Sequence, residues 1–131
     1  MSNCYKLSGG TWTETFSMNI PRASYSCMPS SPFQIAANKA FIIGGYPPTN
    51  TMEVLTDSSW DTLPIQLPVT AGTWGNCLIP IDATSFLLVI GFTADFQSSQ
   101  DTFIFNSVGN KWTAGPNLQV GRNFRALWSN G

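Results

Sequence analysis

The stretch AFIIGGYPPTNTMEVLTDSSW, residues 40–60, carries the reading of the fold. An apolar run closes on two glycines, a polar loop with two prolines follows, MEVL restarts the apolar character, and Asp-Ser-Ser leads into Trp60. A short run rich in Ile, Val and Phe, stopped by glycine, reads as a strand buried on both faces rather than as a helix. Asp, Ser, Asn and Gly supply the positive φ angles or side-chain bonds that hairpin turns need. A looser version, SFLLVIGFTADFQSSQDTFIFNSVGNKW, occupies residues 85–112, and a shortened one, CYKLSGGTW, spans residues 4–12.

Trp12, Trp60 and Trp112 mark the same point in each unit and lie roughly 50 residues apart. Each follows a strand-like segment (CYKL, TMEVLT, DTFIFN) and a turn (SGG, DSS, SVGN). Ahead of the second and third hairpins stand the apolar runs AFIIGG and SFLLVIG, each ending where glycine permits close backbone approach. One further small-residue segment precedes each run, RASYSCM and then TWGNCLI, and a third, RNFRALW, occupies residues 122–128. The unit is therefore four short strands, a to d. Nine prolines and eleven glycines punctuate the 131 residues, and no dozen-residue stretch free of them keeps a helical period. The expectation is an all-β chain.

Four strands about every 50 residues is the layout of a β-propeller blade. The glycine doublet after an apolar strand, the Trp beyond the hairpin and an arginine ten residues later (Trp12 to Arg22, Trp112 to Arg122) resemble the kelch repeat. The third unit has VIGF where the doublet would stand, and Thr70 falls at the arginine spacing of the second. The resemblance implies a partial kelch-type propeller of four-stranded antiparallel blades. Strands c and d of a first blade would occupy residues 1–17, a second blade 18–66, a third 67–116, and the first strand of a further blade 117–131. A closed propeller has about four to eight blades, so these could not close a ring alone. Their open edges and blade faces would favour self-association, and a piece of a longer propeller is the expected explanation.

The composition narrows the function. Charged residues make up 10% of the chain and the net charge is −1, which gives no basic field for nucleic acid or anionic lipid. The longest apolar run, FLLVIGF, is far shorter than a bilayer-spanning helix. No basic-then-apolar leader opens the sequence, no Asn-x-Ser/Thr sequon occurs, and Cys4, Cys27 and Cys77 are odd in number. These features lean toward a cytoplasmic setting, with the cysteines read as small apolar strand residues. The absence of histidine removes Ser-His-Asp and Cys-His chemistry and any imidazole metal ligand. The carboxylates are scattered and no phosphate-binding loop is present, so no catalytic, cofactor-binding or metal site is expected.

A non-enzymatic module binding a protein or peptide is the leading functional expectation. The alternative is a segment of a propeller enzyme, of the galactose oxidase type or sugar-modifying, with its catalytic groups elsewhere. The kelch resemblance implies contacts from the b–c loops (Tyr46, Pro47, Pro48, Asn50; Phe92, Thr93, Phe96) and from the d–a connections (Arg22, Tyr25, Arg122, Arg125). Arg22, Tyr25, Tyr46, Phe92, Arg122 and Arg125 are the partner-binding candidates, since forked guanidinium donors and aromatic rings suit interfaces. Arg22 and Arg122 could equally tie neighbouring loops together, and Tyr46 and Phe92 could pack them. The three repeat tryptophans are expected to pack between blades.

Overall fold

The computed structural model describes residues 2–28 and 40–121, and of Cys27 and Met28 the backbone alone. Twelve strands and no helix appear among these residues. β1 (Cys4–Ser8) and β2 (Thr11–Thr15) form a hairpin. β3 (Ser26–Met28), β4 (Ala40–Ile43), β5 (Met52–Leu55) and β6 (Trp60–Thr62) form a four-stranded antiparallel sheet in sequence order. β8 (Cys77–Pro80), β9 (Ser85–Val89), β11 (Thr102–Asn106) and β12 (Lys111–Ala114) form a second. β7 (Thr73–Trp74) pairs separately with β10 (Phe92–Thr93). The chain is thus all-β, built of small antiparallel sheets of which none closes, consistent with a partial propeller-like fold.

The expected strand order a to d matches both four-stranded sheets, with one difference. TWGNCLI is not one strand: it divides into β7 and β8 at Gly75, whose φ is 64°. The break lets Thr73–Trp74 pair with the loop after β9, while Cys77 resumes pairing with Val89.

Alternation along the strands sorts side chains to opposite faces. From the first sheet, Phe41, Ile43, Met52 and Val54 meet Phe86, Leu88, Ile90 and Phe105 of the second sheet and its approach to the next loop, with Leu67 between them. On the opposite face Ile42 and Trp60 pack with Met18, Cys4 and Leu55, which seats the β1–β2 hairpin. The central AFII strand is therefore covered on both sides, as its unbroken apolar run requires.

Matching backbone bonds recur along the chain. Met18 N donates to Ser2 O (2.9 Å), Leu67 N to Asn50 O (2.8 Å) and Leu118 N to Gln100 O (2.8 Å). Gly44 N donates to Thr51 O (3.2 Å), and Ile90 N to Asp101 O (3.1 Å). The tryptophans share a register too: Trp12 lies opposite Leu7, Trp60 opposite Leu55 and Trp112 opposite Phe105. Trp60 is 8% exposed against the hairpin side, and Trp112 packs on the core between the two sheets. Both face the sheet that precedes them.

Trp12 departs from the expected packing role. It is 65% exposed, on one face with exposed Tyr5 and Leu7, because no described sheet lies on that side of the hairpin.

The glycine doublet is required by contact as well as by torsion. Gly44 and Gly45 have φ of 62° and 123°. A Cβ on Gly44 would lie 2.7 Å from Thr73 O, and one on Gly45 would lie 3.0 Å from Ala23 O. In the second sheet the close approach falls on Gly91, where a Cβ would lie 2.2 Å from Gly75 O.

Candidate functional site

The loops that leave β4 and β9 lie together with the connections that lead into β3 and β8. Their tie is backbone pairing: Ala23 and Tyr46 exchange bonds of 2.8 and 2.6 Å, and Gly75 N donates to Ser24 O at 2.9 Å. Phe92 pairs with Trp74 and Thr93 with Thr73. This pairing brings four aromatic rings into one cluster. Trp74 stacks on Phe92 with centroids 4.3 Å apart, and the edges of Tyr46 and Phe96 meet Trp74 at 5.4 and 5.6 Å. Tyr46 and Phe96 also meet each other at 6.0 Å.

The cluster is not core. Phe96 is 57% exposed and Tyr46 43%, while Trp74 and Phe92 are half-buried beneath them. Phe96 sits at φ 62°, in a turn closed by its own N–H on Thr93 O (3.0 Å) and by Thr93 N on Gln97 O (2.9 Å). That turn holds the ring outward on a fixed backbone.

Beside the cluster lies a cavity of about 460 Å³. Pro68, Val69, Thr70 and Ala71 form one wall; Thr93, Ala94 and Asp95 form another; Asp101 and Phe103 of β11 and its approach complete it. Asp95 accepts a bond from the Thr93 hydroxyl, which holds its carboxylate at the rim.

Arg22 lies in a different environment from the one expected of a contact residue. It is 1% exposed. Its Nη2 pairs with Glu53 Oε1 at 2.5 Å and donates to Thr51 Oγ1 at 3.1 Å, while Nη1 donates to Gly44 O at 2.7 Å. Nε reaches Ile20 O at 3.4 Å. Glu53, fully buried, also accepts from Asn19 N (2.7 Å) and Ile20 N (3.1 Å). The guanidinium thus ties the connection before β3 to β4 and β5 and offers no donor to a partner. Of the two roles open to it, this is the structural one.

The register also moves its counterpart. Because Ala23 pairs with Tyr46 as Trp74 pairs with Phe92, and Ser26 with Ile43 as Cys77 with Val89, Thr73 rather than Thr70 stands where Arg22 does. The connection from Leu67 to Thr73 is longer than that from Met18 to Arg22, which displaces the simple Trp-based spacing.

Tyr46 and Phe92 lie in the aromatic cluster, and Tyr25 is exposed on the connection into β3. Arg122 and Arg125 lie outside the described residues. Sequence reasoning placed Phe96 on a contact loop but missed Trp74, whose only signal was its place two residues after Gly72 in a segment read as a plain strand. Among the described residues no group of three or more His, Cys, Asp or Glu comes together to hold a metal, and no helix is long and apolar enough to cross a membrane. Cys4, a free thiol, and Cys77 are half-buried in β1 and β8. The chain matches no protein-family model and no curated protein sequence.

Proposed function

We propose that this chain is a non-enzymatic interaction module, part of a kelch-type β-propeller scaffold, that recognises a protein or peptide through its loop end. The observation that carries the reading is the exposed cluster of Tyr46, Trp74, Phe92 and Phe96. Aromatic rings held on a paired backbone lose little entropy on binding, and such residues dominate interface hot spots. The recurring strand order, the recurring Trp register and the matching backbone bonds support the repeat reading. The open face of Tyr5, Leu7 and Trp12 is where a preceding sheet would pack in a larger ring, by the same geometry that covers Trp60 and Trp112.

A peptide-display selection against the 131-residue chain tests the reading. Selected peptides should bind Phe96→Ala and Tyr46→Ala at least about tenfold more weakly, since a hot-spot ring contributes about 1.4 kcal/mol or more. Both variants should melt within a few degrees of the parent, because each ring is substantially exposed. Peptides that bind the parent and both variants equally would refute the loop end as the binding surface.

A further inference from the structure

The two four-stranded sheets treat one corresponding position in opposite ways. In the first, Arg22 fills a box made by Ile20 O, Thr51 and Glu53. The shared hydrogen bonds of Gly44 to Thr51 and Ile90 to Asp101 set Asp101 at the place of Thr51, and strand register then sets Phe103 at the place of Glu53. The bonds of Met18 and Leu67 likewise set Pro68 and Val69 at the places of Asn19 and Ile20. Pro68, Val69, Asp101 and Phe103 all line the cavity beside the aromatic cluster. Thr73, at the place of Arg22, is too short to reach across, and its hydroxyl is turned to Phe92 O (2.7 Å) and Asn76 Oδ1 (2.8 Å).

We infer that this cavity is a receptor for the guanidinium of an arginine side chain supplied by a partner peptide. The internal precedent is the guanidinium box around Arg22, and the chemistry of the walls agrees with it. Asp95 and Asp101 present two carboxylates, and among the described residues the only ion pair is Arg22 with Glu53, so neither meets a cation there. Carboxylates accept forked guanidinium donors in charge-assisted bonds. Phe103 adds an aromatic ring of the kind guanidinium groups stack on, and Val69 and Ala71 suit the alkyl stem. The volume of about 460 Å³ lies within the usual range for a ligand site.

The inference rests on the loop end being a binding surface, since Thr93 to Asp95 join the cavity to Phe92 and Phe96. It has its own test. Amide resonances of the full chain are followed by NMR during titration with N-acetyl-arginine methylamide, its citrulline analogue and its lysine analogue. The arginine probe should give saturable shifts confined to residues 69–71, 93–95 and 101–103, with citrulline silent and lysine at least severalfold weaker. Asp95→Asn and Asp101→Asn, both exposed and so folded, should each weaken the arginine probe by roughly tenfold, the loss of one charge-assisted bond.

Equal shifts from citrulline, equal affinity for lysine, or unchanged binding in both aspartate variants would overturn the inference. So would binding that appears only in an Arg122→Ala/Arg125→Ala chain, which would make the occupant internal. A failed titration alongside peptides that depend on Phe96 would remove the guanidinium receptor and leave the aromatic surface standing.

Discussion

Glu53→Gln is the sharpest test of how this chain is held together. The substitution keeps the size and one acceptor oxygen of the side chain but removes its charge. Arg22 would then keep Gly44 O and Thr51 as neutral partners, at 2.7 and 3.1 Å, while losing the carboxylate at 2.5 Å. A guanidinium 1% exposed cannot recover the loss from water. Removing one partner of a buried pair costs about 3–5 kcal/mol, and the remaining carbonyl partners place this case near the lower figure. Three kcal/mol is roughly a 150-fold change in the folding equilibrium and a large share of the roughly 5–15 kcal/mol that holds a domain of this kind.

Urea denaturation followed by tryptophan fluorescence reads this as a fall in midpoint of about 1–3 M at an unchanged slope. A double-mutant cycle with Arg22→Met separates the pair from its surroundings, and the coupling between the two positions should be about 2 kcal/mol or more. A cost for Glu53→Gln below about 1 kcal/mol, the value of a surface pair, would refute the reasoning. It would mean that water reaches the guanidinium and that the connection before β3 is not anchored as described.

Three further outcomes follow from the same geometry. Trp60→Ala should cost about 3–5 kcal/mol and Trp12→Ala within about 0.5 kcal/mol in the same denaturation assay, since one ring is packed and the other lies in solvent. Gly91→Ala should destabilise by about 1–3 kcal/mol or prevent folding, because its Cβ would fall 2.2 Å from Gly75 O, while Gly109→Ala, which meets only Lys111 Cβ at 4.0 Å, should be near neutral in thermal melts. The carboxyl of Asp82 is held below the ordinary aspartate range by bonds from the Thr84 amide (2.8 Å) and hydroxyl (3.0 Å), so an NMR titration should place its midpoint below that of an unstructured aspartate. With the folded-state value depressed, its contribution to stability is present at neutral pH and is lost as the pH falls through that midpoint; Thr84→Val should move the midpoint upward.

The strand order was legible because local chemistry states it. AFII and SFLLV are unbroken apolar runs that become the covered second strands, and the turns after MEVL and TFIFN carry Ser, Asp, Asn and Gly. Even there the detail escaped. The turn after β5 is organised by the Thr56 hydroxyl, which accepts from Ser58 N (3.3 Å) and Ser59 N (3.0 Å). TWGNCLI reads as one strand in sequence because its break depends on Phe92 pairing from a distant loop.

The amino-acid pattern by itself determined the β class, the spacing of the strands and the glycines that admit a neighbouring backbone, because each of these depends on residues close in the chain. It also offered arginines and aromatics as contact residues without deciding among them. Only the tertiary structure decided that Arg22 is enclosed by Glu53, that Trp12 faces solvent while Trp60 does not, and that Trp74 joins Tyr46, Phe92 and Phe96. Burial and charge pairing depend on what lies across the fold from a side chain, and that partner is dozens of residues away in sequence.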